Sequence, residues 1–137
     1  MIIRVFLGLN MQGADKHKVL LVDDDSMIRS YLSLILRNEG FNIAGEVGDI
    51  AKAKQQLKRS KVTLVFLDIN LLEENGLTAL SALRQEYPDI CFVMISGEST
   101  VPNVTTALKD GAKGFVTKPF TIDSVIQAVG RALQLGE

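Results

Sequence analysis

Apolar runs alternate with helical patterns along most of the chain. The runs are short and continuous, as in strands that are covered on both faces of a sheet. They are KVLLV (18–22), FNIAGEV (41–47), TLVFL (63–67), ICFVMIS (90–96) and GFVT (114–117). After each run, apolar residues recur at helical spacing, most regularly at Ile122, Val125 and Val129. The pattern predicts five strands, each followed by a helix.

Capping and breaking residues place the helix boundaries. Asp25 or Ser26 can cap the first helix, Asp49 the second and Thr121 the fifth. Gly40, Pro88 and Gly111 stand where the first, third and fourth helices would end. We therefore expect the second helix to reach about residue 59, the third to cover about 77–87 and the fourth about 101–110.

The alternation of strands and helices predicts the fold class. Strand–helix–strand units give a parallel sheet with right-handed crossovers and helices on both faces. The second strand carries Asn42 and Glu46, so we expect it at an edge and the other four strands to be more buried. The prediction is an α/β fold, a flavodoxin-like (βα)5 three-layer sandwich, with a five-stranded parallel sheet in the order 2-1-3-4-5.

Composition narrows the class of protein further. A chain of 137 residues with 47% hydrophobic residues fits one domain with a sizeable core. A net charge of -1 and a pI near 5.8 give no basic surface for direct binding of nucleic acid. The single cysteine excludes an internal disulfide, and no apolar stretch approaches the ~20 residues of a membrane span. These features favour a cytoplasmic protein that does not contact a membrane.

Residues 1–17 precede the first strand and carry no recognisable chemistry. The apolar part, Ile2 to Leu9, is too short to span a membrane, and no small-residue cleavage site follows it. We interpret 1–17 as an N-terminal tail or extension, with Met11 as an alternative start, and 18–137 as the functional domain. An extra strand or an oligomer contact is a rarer interpretation of the same segment.

Chemistry-bearing residues follow four of the predicted strands. In open parallel sheets, ligands bind beyond the carboxyl ends of the strands. Those ends carry Asp23, Asp24 and Asp25 after strand 1, Asp68 after strand 3, Ser96 after strand 4, and Lys118 with Pro119 after strand 5. Carboxylates brought together repel one another unless a cation neutralises them, and Mg²⁺ prefers oxygen ligands and leaves positions open for phosphate.

The same residues suggest phosphoryl transfer. A carboxylate can act as the nucleophile that forms an aspartyl phosphate, while a lysine and a serine hydroxyl can hold phosphoryl oxygens. Taken singly, each has an ordinary explanation: the acidic run can cap a helix, Asp68 can form a turn, and Ser96 can bond the backbone. Their joint placement at one sheet edge favours the functional interpretation.

Four motifs resemble the receiver domain of two-component response regulators. They are LLVDDDSMIR, LVFLDINLLEENGL, VMISGE and GAKGFVTKPF, and the resemblance covers about residues 18–135. It implies a signalling domain, not an enzyme acting on other molecules, that catalyses its own phosphorylation and dephosphorylation. The implied donor is a phosphohistidine on a sensor histidine kinase or histidine phosphotransfer protein. The implied recipient of the signal is a downstream effector domain or protein, and a phosphorylation-dependent homodimer is left open.

The resemblance also implies residue roles. Asp68 would be the phosphoacceptor. Mg²⁺ would be held by Asp23, Asp24, Asp68 and the backbone carbonyl of Asn70, with Asp23 acting mainly through water. Ser96 and Lys118 would hold the phosphoryl oxygens. Ser96 and Phe115 would form the switch toward the last two helices and strand 5, and Lys118–Pro119 would be a cis peptide.

The sequence departs from the family pattern at a few positions. Leu72 stands where proline is usual, so we expect a less rigid loop, and Phe115 lacks the phenol of a tyrosine. Asn70 and Glu98 occur together in chemotaxis-type regulators with a short-lived phosphoryl group, which predicts a short lifetime here. Alternatively, Glu98 only favours the start of the next helix.

Three other functions fit parts of the pattern. A pseudo-receiver would keep the fold and bind partners without phosphorylation, although the complete site argues against it. A phosphohydrolase with an aspartyl nucleophile often needs a second acid where Asn70 stands. A flavin binder would want a phosphate-binding loop after strand 1, where three aspartates lie instead. The chain ends close to the expected end of a receiver domain, which fits either a stand-alone regulator or part of a longer protein.

Overall fold

The computed structural model describes residues 11–97 and 101–135, with only the backbone at Val101. Predictions that concern residues 1–10 or Glu98 lie outside the described residues. The strands are β1 (Lys18–Val22), β2 (Asn42–Val47), β3 (Leu64–Asp68), β4 (Cys91–Ser96) and β5 (Gly114–Thr117). The helices are α1 (Ser26–Asn38), α2 (Ile50–Arg59), α3 (Gly76–Glu86), α4 (Val101–Lys109) and α5 (Ile122–Leu133). None of the described helices is long and apolar enough to cross a membrane.

The five strands form one parallel sheet in the order β2-β1-β3-β4-β5, which confirms the predicted fold and strand order. β2 lies at an edge as expected. As expected, β1, β3, β4 and β5 each contain fully buried residues, whereas β2 contains none. β5 forms the other edge, and of its residues only Val116 is fully buried, because it pairs with β4 alone.

The apolar side chains of the strands pack into two hydrophobic cores, one on each face of the sheet. Val19 and Leu21 face the layer formed by α1 and α5, while Leu20 and Val22 face the layer formed by α2, α3 and α4. Successive strand residues point to opposite faces, so a strand that is covered on both sides needs apolar residues throughout. This arrangement explains the continuous apolar runs of the sequence.

The helix caps follow the sequence signals closely. Asp25, rather than Ser26, is the N-cap of α1, and its side chain accepts hydrogen bonds from the N–H groups of Met27 and Ile28. Asp49 caps α2, and Thr121 forms a capping box with Ser124 at the start of α5. These caps fix where each helix begins relative to the strand before it.

Part of the N-terminal extension packs against the domain. A 3₁₀ turn, Ala14–Lys16, precedes β1, and Met11 and Ala14 are buried in the same core as α1 and α5. The Met11 N–H donates to the carbonyl of Glu39 at 3.2 Å. This contact lies near the end of α1, remote from the carboxyl ends of the strands.

Candidate functional site

The structure brings the predicted residues to one edge of the sheet. Asp23 directly follows β1, Asp68 is the last residue of β3, Ser96 is the last residue of β4, and Lys118 directly follows β5. The parallel register aligns these ends, because Asp68 is level with Ile95 and Ser96 is level with Thr117. The sheet therefore holds these side chains at the carboxyl ends of four neighbouring strands.

Three carboxylates form the acidic cluster: Asp23, Asp24 and Asp68. Oxygens of all three lie within 4.8 Å of one another. Asp23 and Asp68 are buried, at 1% and 2% exposure, and Asp24 is more exposed than either. Asp25 does not join them, because its carboxylate is engaged in capping α1.

Lys118 neutralises part of this charge. Its Nζ lies 2.8 Å from Oδ2 of Asp23 and 3.1 Å from Oδ2 of Asp68. The contact with Asp68 has the geometry of a hydrogen bond, whereas the contact with Asp23 is an ion pair without such geometry. One ammonium group thus faces two buried carboxylates, which leaves a net negative charge in the cluster.

Burial and this charge balance shift the protonation of the site. The pKa of Asp68 lies above its usual value, chiefly because burial disfavours the carboxylate and further because Asp23 is negative nearby. The Asn70 N–H and Lys118 oppose that rise without cancelling it. Burial alone would lower the pKa of Lys118, but Asp23 and Asp68 outweigh it and raise that pKa above its usual value.

The loop after β3 fixes the backbone beside Asp68. The Asn70 N–H donates to Oδ1 of Asp68 at 3.0 Å, and the Gly76 N–H donates to the carbonyl of Ile69 at 2.7 Å. Asn70 and Asn75 pair as an isolated antiparallel bridge, and Asn75 caps α3. These bonds close the loop tightly, although Leu72 stands in place of the proline usual at that position.

The remaining predicted residues surround this centre. Ser96 is fully buried, and its hydroxyl donates to Oδ1 of Asn70 at 3.0 Å. Phe115 is half-buried and packs against the core on the α2–α3–α4 face. The Lys118–Pro119 peptide is cis, as the resemblance implied.

Two features of the site were missed by the sequence analysis. Arg29 on α1 donates to the backbone carbonyl of Asp23 and lies 3.8 Å from Glu46 on β2, so it ties down the loop that carries Asp23. A basic residue one turn into the helix after an acidic run was the available signal. The side-chain contact between Asn70 and Ser96 had no signal, since only the carbonyl of Asn70 was given a role.

The cluster fits a divalent cation such as Mg²⁺. Its donors are carboxylate oxygens, which hard cations prefer. Oδ2 of Asp23 is buried and accepts no hydrogen bond from the part of the chain that the structure describes. Its close partner is the positive Nζ of Lys118 at 2.8 Å, so this oxygen already attracts positive charge to the cluster.

Comparison with known proteins identifies the family. Residues 19–130 match the family described as the response regulator receiver domain. The chain belongs to this family. Receiver domains are the signalling domains of two-component systems that are phosphorylated on an aspartate, and the resemblance noted from the four motifs is confirmed.

Individual relatives support the same assignment. The chemotaxis protein CheY of Bacillus subtilis is 33% identical over 117 residues, which cover 85% of this receiver domain's chain and 98% of CheY. The nitrogen assimilation regulatory protein NtrX of Azorhizobium caulinodans is 34% identical over 120 residues, but these cover only 26% of that longer protein. A chain in the crystal structure of the CheX–CheY–BeF₃–Mg²⁺ complex of Borrelia burgdorferi has a TM-score of 0.79 and 32% identity, with 83% of this chain and 87% of that chain covered.

Proposed function

We propose that residues 18–137 form a receiver domain in which Asp68 accepts a phosphoryl group. The observation that carries this proposal is the acidic cluster with Lys118 at its centre, where one buried carboxylate lies at the end of β3 beside a bridging ammonium. Asp23 and Asp24 supply charge around Asp68.

The proposed reaction is a transfer between two residues. An oxygen of the Asp68 carboxylate attacks phosphorus, the P–N bond of a phosphohistidine breaks, and the leaving imidazole takes up a proton. The donor protein is a sensor histidine kinase or a histidine phosphotransfer protein. Loss of the phosphoryl group reverses the change by hydrolysis of the new acyl phosphate, with water as the co-reactant, so the domain catalyses both steps on itself.

Charge neutralisation is the main requirement of this chemistry. Asp23, Asp24, Asp68 and the carbonyl of Asn70 would hold Mg²⁺, which supplies positive charge for phosphoryl oxygens when it is bound. Lys118 already faces the reacting carboxylate at 3.1 Å, so its ammonium can pair with a phosphoryl oxygen after a small movement. The Ser96 hydroxyl can donate to another phosphoryl oxygen.

The signal leaves the site through Ser96 and Phe115. Phe115 lies on the edge strand β5, half-buried and against the core, so a movement of Ser96 toward the phosphoryl group can be matched by inward rotation of the ring. The face formed by α4, β5 and α5 is then the surface that an effector domain or protein reads. We place the protein in the cytoplasm, without a membrane or nucleic acid as direct partner.

The phosphorylated state is proposed to be short-lived. A Cβ at Gly97, the residue after Ser96, would meet no atom of the described residues within 4 Å, which leaves space for water beside the site. Persistence of the purified phosphoprotein for many hours in the presence of Mg²⁺ would contradict this expectation.

Intact-mass measurement tests the proposed function. The protein is incubated with Mg²⁺ and acetyl phosphate, and we expect wild type and Asp25→Asn to gain one phosphoryl group while Asp68→Asn gains none. Asp25→Asn is the matched control, because asparagine keeps the helix cap and removes a neighbouring acid. Absence of phosphorylation in all folded variants would favour the alternative, a phosphorylation-independent pseudo-receiver binding module.

A further inference from the structure

Ser96 and Asn70 form a contact that competes with the proposed function. The Ser96 hydroxyl donates to Oδ1 of Asn70 at 3.0 Å. A serine hydroxyl has one proton, so it cannot donate to Asn70 and to a phosphoryl oxygen on Asp68 at the same time. The phosphoryl group must therefore displace Asn70 from Ser96.

The backbones on both sides of this contact are held in place. Asn70 is fixed by its N–H bond to Asp68 and by its bridge to Asn75. The carbonyl of Ser96 accepts from the Lys118 N–H at 2.8 Å, and Ser96 lies within β4. Because both backbones are held, neither residue can move as a whole to keep the contact. The contact therefore breaks mainly by rotation of the side chains.

The two residues of this contact differ in their exposure to solvent. Ser96 has 0% exposure, whereas Asn70 is exposed and lies on the solvent side of it. In the resting protein the Ser96 hydroxyl thus donates its proton to Asn70, whose side chain lies between it and solvent. A hydrogen bond of a buried hydroxyl contributes to stability, so the contact with Asn70 stabilises the resting position of the Ser96 side chain.

We propose that the Asn70 side chain is a latch that holds Ser96 in the resting state and opposes phosphoryl-driven switching. Asn70 acts as a positioning residue through Ser96, in addition to the role of its backbone carbonyl. This inference rests on the proposed function of Asp68. Its direction is specific: removing the latch strengthens the response to a phosphoryl group, whereas removing a direct phosphoryl ligand would weaken it.

Two variants separate the hydrogen bond from simple covering of the site. Asn70→Leu keeps nearly the same shape and loses the acceptor, and Asn70→Ala loses both. Since a neutral hydrogen bond contributes modestly in net terms, we expect each variant to bind a phosphoryl mimic about three- to tenfold more tightly than wild type. If the side chain acts only as a cover, Asn70→Leu will match wild type.

The test is a calorimetric titration of the full chain with beryllofluoride in the presence of Mg²⁺. Wild type, Asn70→Leu, Asn70→Ala, Ser96→Ala and the double variant Asn70→Leu/Ser96→Ala are compared, with urea unfolding as the check that each is folded. The latch predicts tighter binding for both Asn70 variants and no further effect of Asn70→Leu once Ser96 is alanine. A gain that persists in the double variant would show that Asn70 does not act through Ser96.

The outcomes distinguish the latch from the proposed function. If folded wild type does not bind beryllofluoride, the proposed function is refuted, and the latch, which rests on it, is refuted as well. If wild type binds the mimic while Asn70→Leu binds equally or more weakly, the receiver function stands and the latch is refuted.

Discussion

Gly76→Ala would place a methyl group where the backbone of β3 already lies. A Cβ at this position would be 2.2 Å from the carbonyl oxygen of Asp68, 2.7 Å from the Cα of Ile69 and 2.9 Å from the carbonyl carbon of Asp68. Contacts under 3.0 Å are essentially never seen for a real Cβ. The start of α3 and the end of β3 must therefore separate by about 1 Å, judged from the spacing of packed carbon atoms.

This separation has a cost that the structure allows to be bounded. Overpacking typically costs about 1–3 kcal/mol, and backbone atoms cannot rotate away as a side chain can, so we expect about 3 kcal/mol of lost stability. The short bond from the Gly76 N–H to Ile69 would also lengthen. Because a displacement of about 1 Å at a reacting group can reduce a rate about 10²-fold, phosphorylation should fall by about that factor.

The assay combines two measurements on the same preparations. Urea unfolding gives the free energy of unfolding, and intact mass gives the initial rate of phosphoryl incorporation from acetyl phosphate with Mg²⁺. Gly130→Ala is the matched control, since its Cβ would meet only Met11 at 3.8 Å, and alanine within a helix adds about 0.5–1 kcal/mol of stability. Gly76→Ala with wild-type stability and rate would refute the reasoning about this close approach.

Three further predictions concern charge. Lys118→Met leaves the carboxylates of Asp23 and Asp68 buried without their cation, so urea unfolding without Mg²⁺ should show about 3 kcal/mol of lost stability, and Mg²⁺ should restore more stability to this variant than to wild type. Asp68→Asn should be more stable than wild type at pH 7 without Mg²⁺. Because the pKa of Asp68 is raised in the folded protein, folded wild type binds more protons than the unfolded chain above pH 3.8. The stability of wild type therefore falls as pH rises through the folded pKa. The stability difference between Asp68→Asn and wild type should shrink as the pH is lowered toward 3.8. Burial lowers the pKa of His17 in the folded protein below 6.5, so just below pH 6.5 the unfolded chain binds more protons than the folded protein. The free energy of unfolding of wild type should therefore fall as pH falls below 6.5. His17→Gln should lack this pH-dependent loss when unfolding is measured across about pH 5–7.

Much of the fold followed from local pattern. The apolar runs predicted five strands because a strand covered on both faces must be apolar at every position. Asn42 and Glu46 correctly indicated an edge strand. The predicted strand order already placed β5 at the other edge, although GFVT is as apolar as a central strand, and the structure adds that only Val116 of β5 is fully buried.

The membership of the site could be predicted for a similar reason. Carboxyl ends of parallel strands share one edge, so Asp23, Asp68, Ser96 and Lys118 had to approach one another once the strand order was known. Contacts that depend on loop conformation were not accessible in this way. The hydroxyl of Ser96 on Asn70 requires the closed loop after β3, which no local sequence rule specifies.

The central claim is that Asp68, among several neighbouring acids, accepts the phosphoryl group. Borohydride reduction of the freshly phosphorylated protein converts an aspartyl phosphate to homoserine, which peptide mass spectrometry then locates. We predict homoserine at position 68 alone. Homoserine at position 23, 24 or 25 in its place, or at no position in a preparation that had gained a phosphoryl group, would contradict the account.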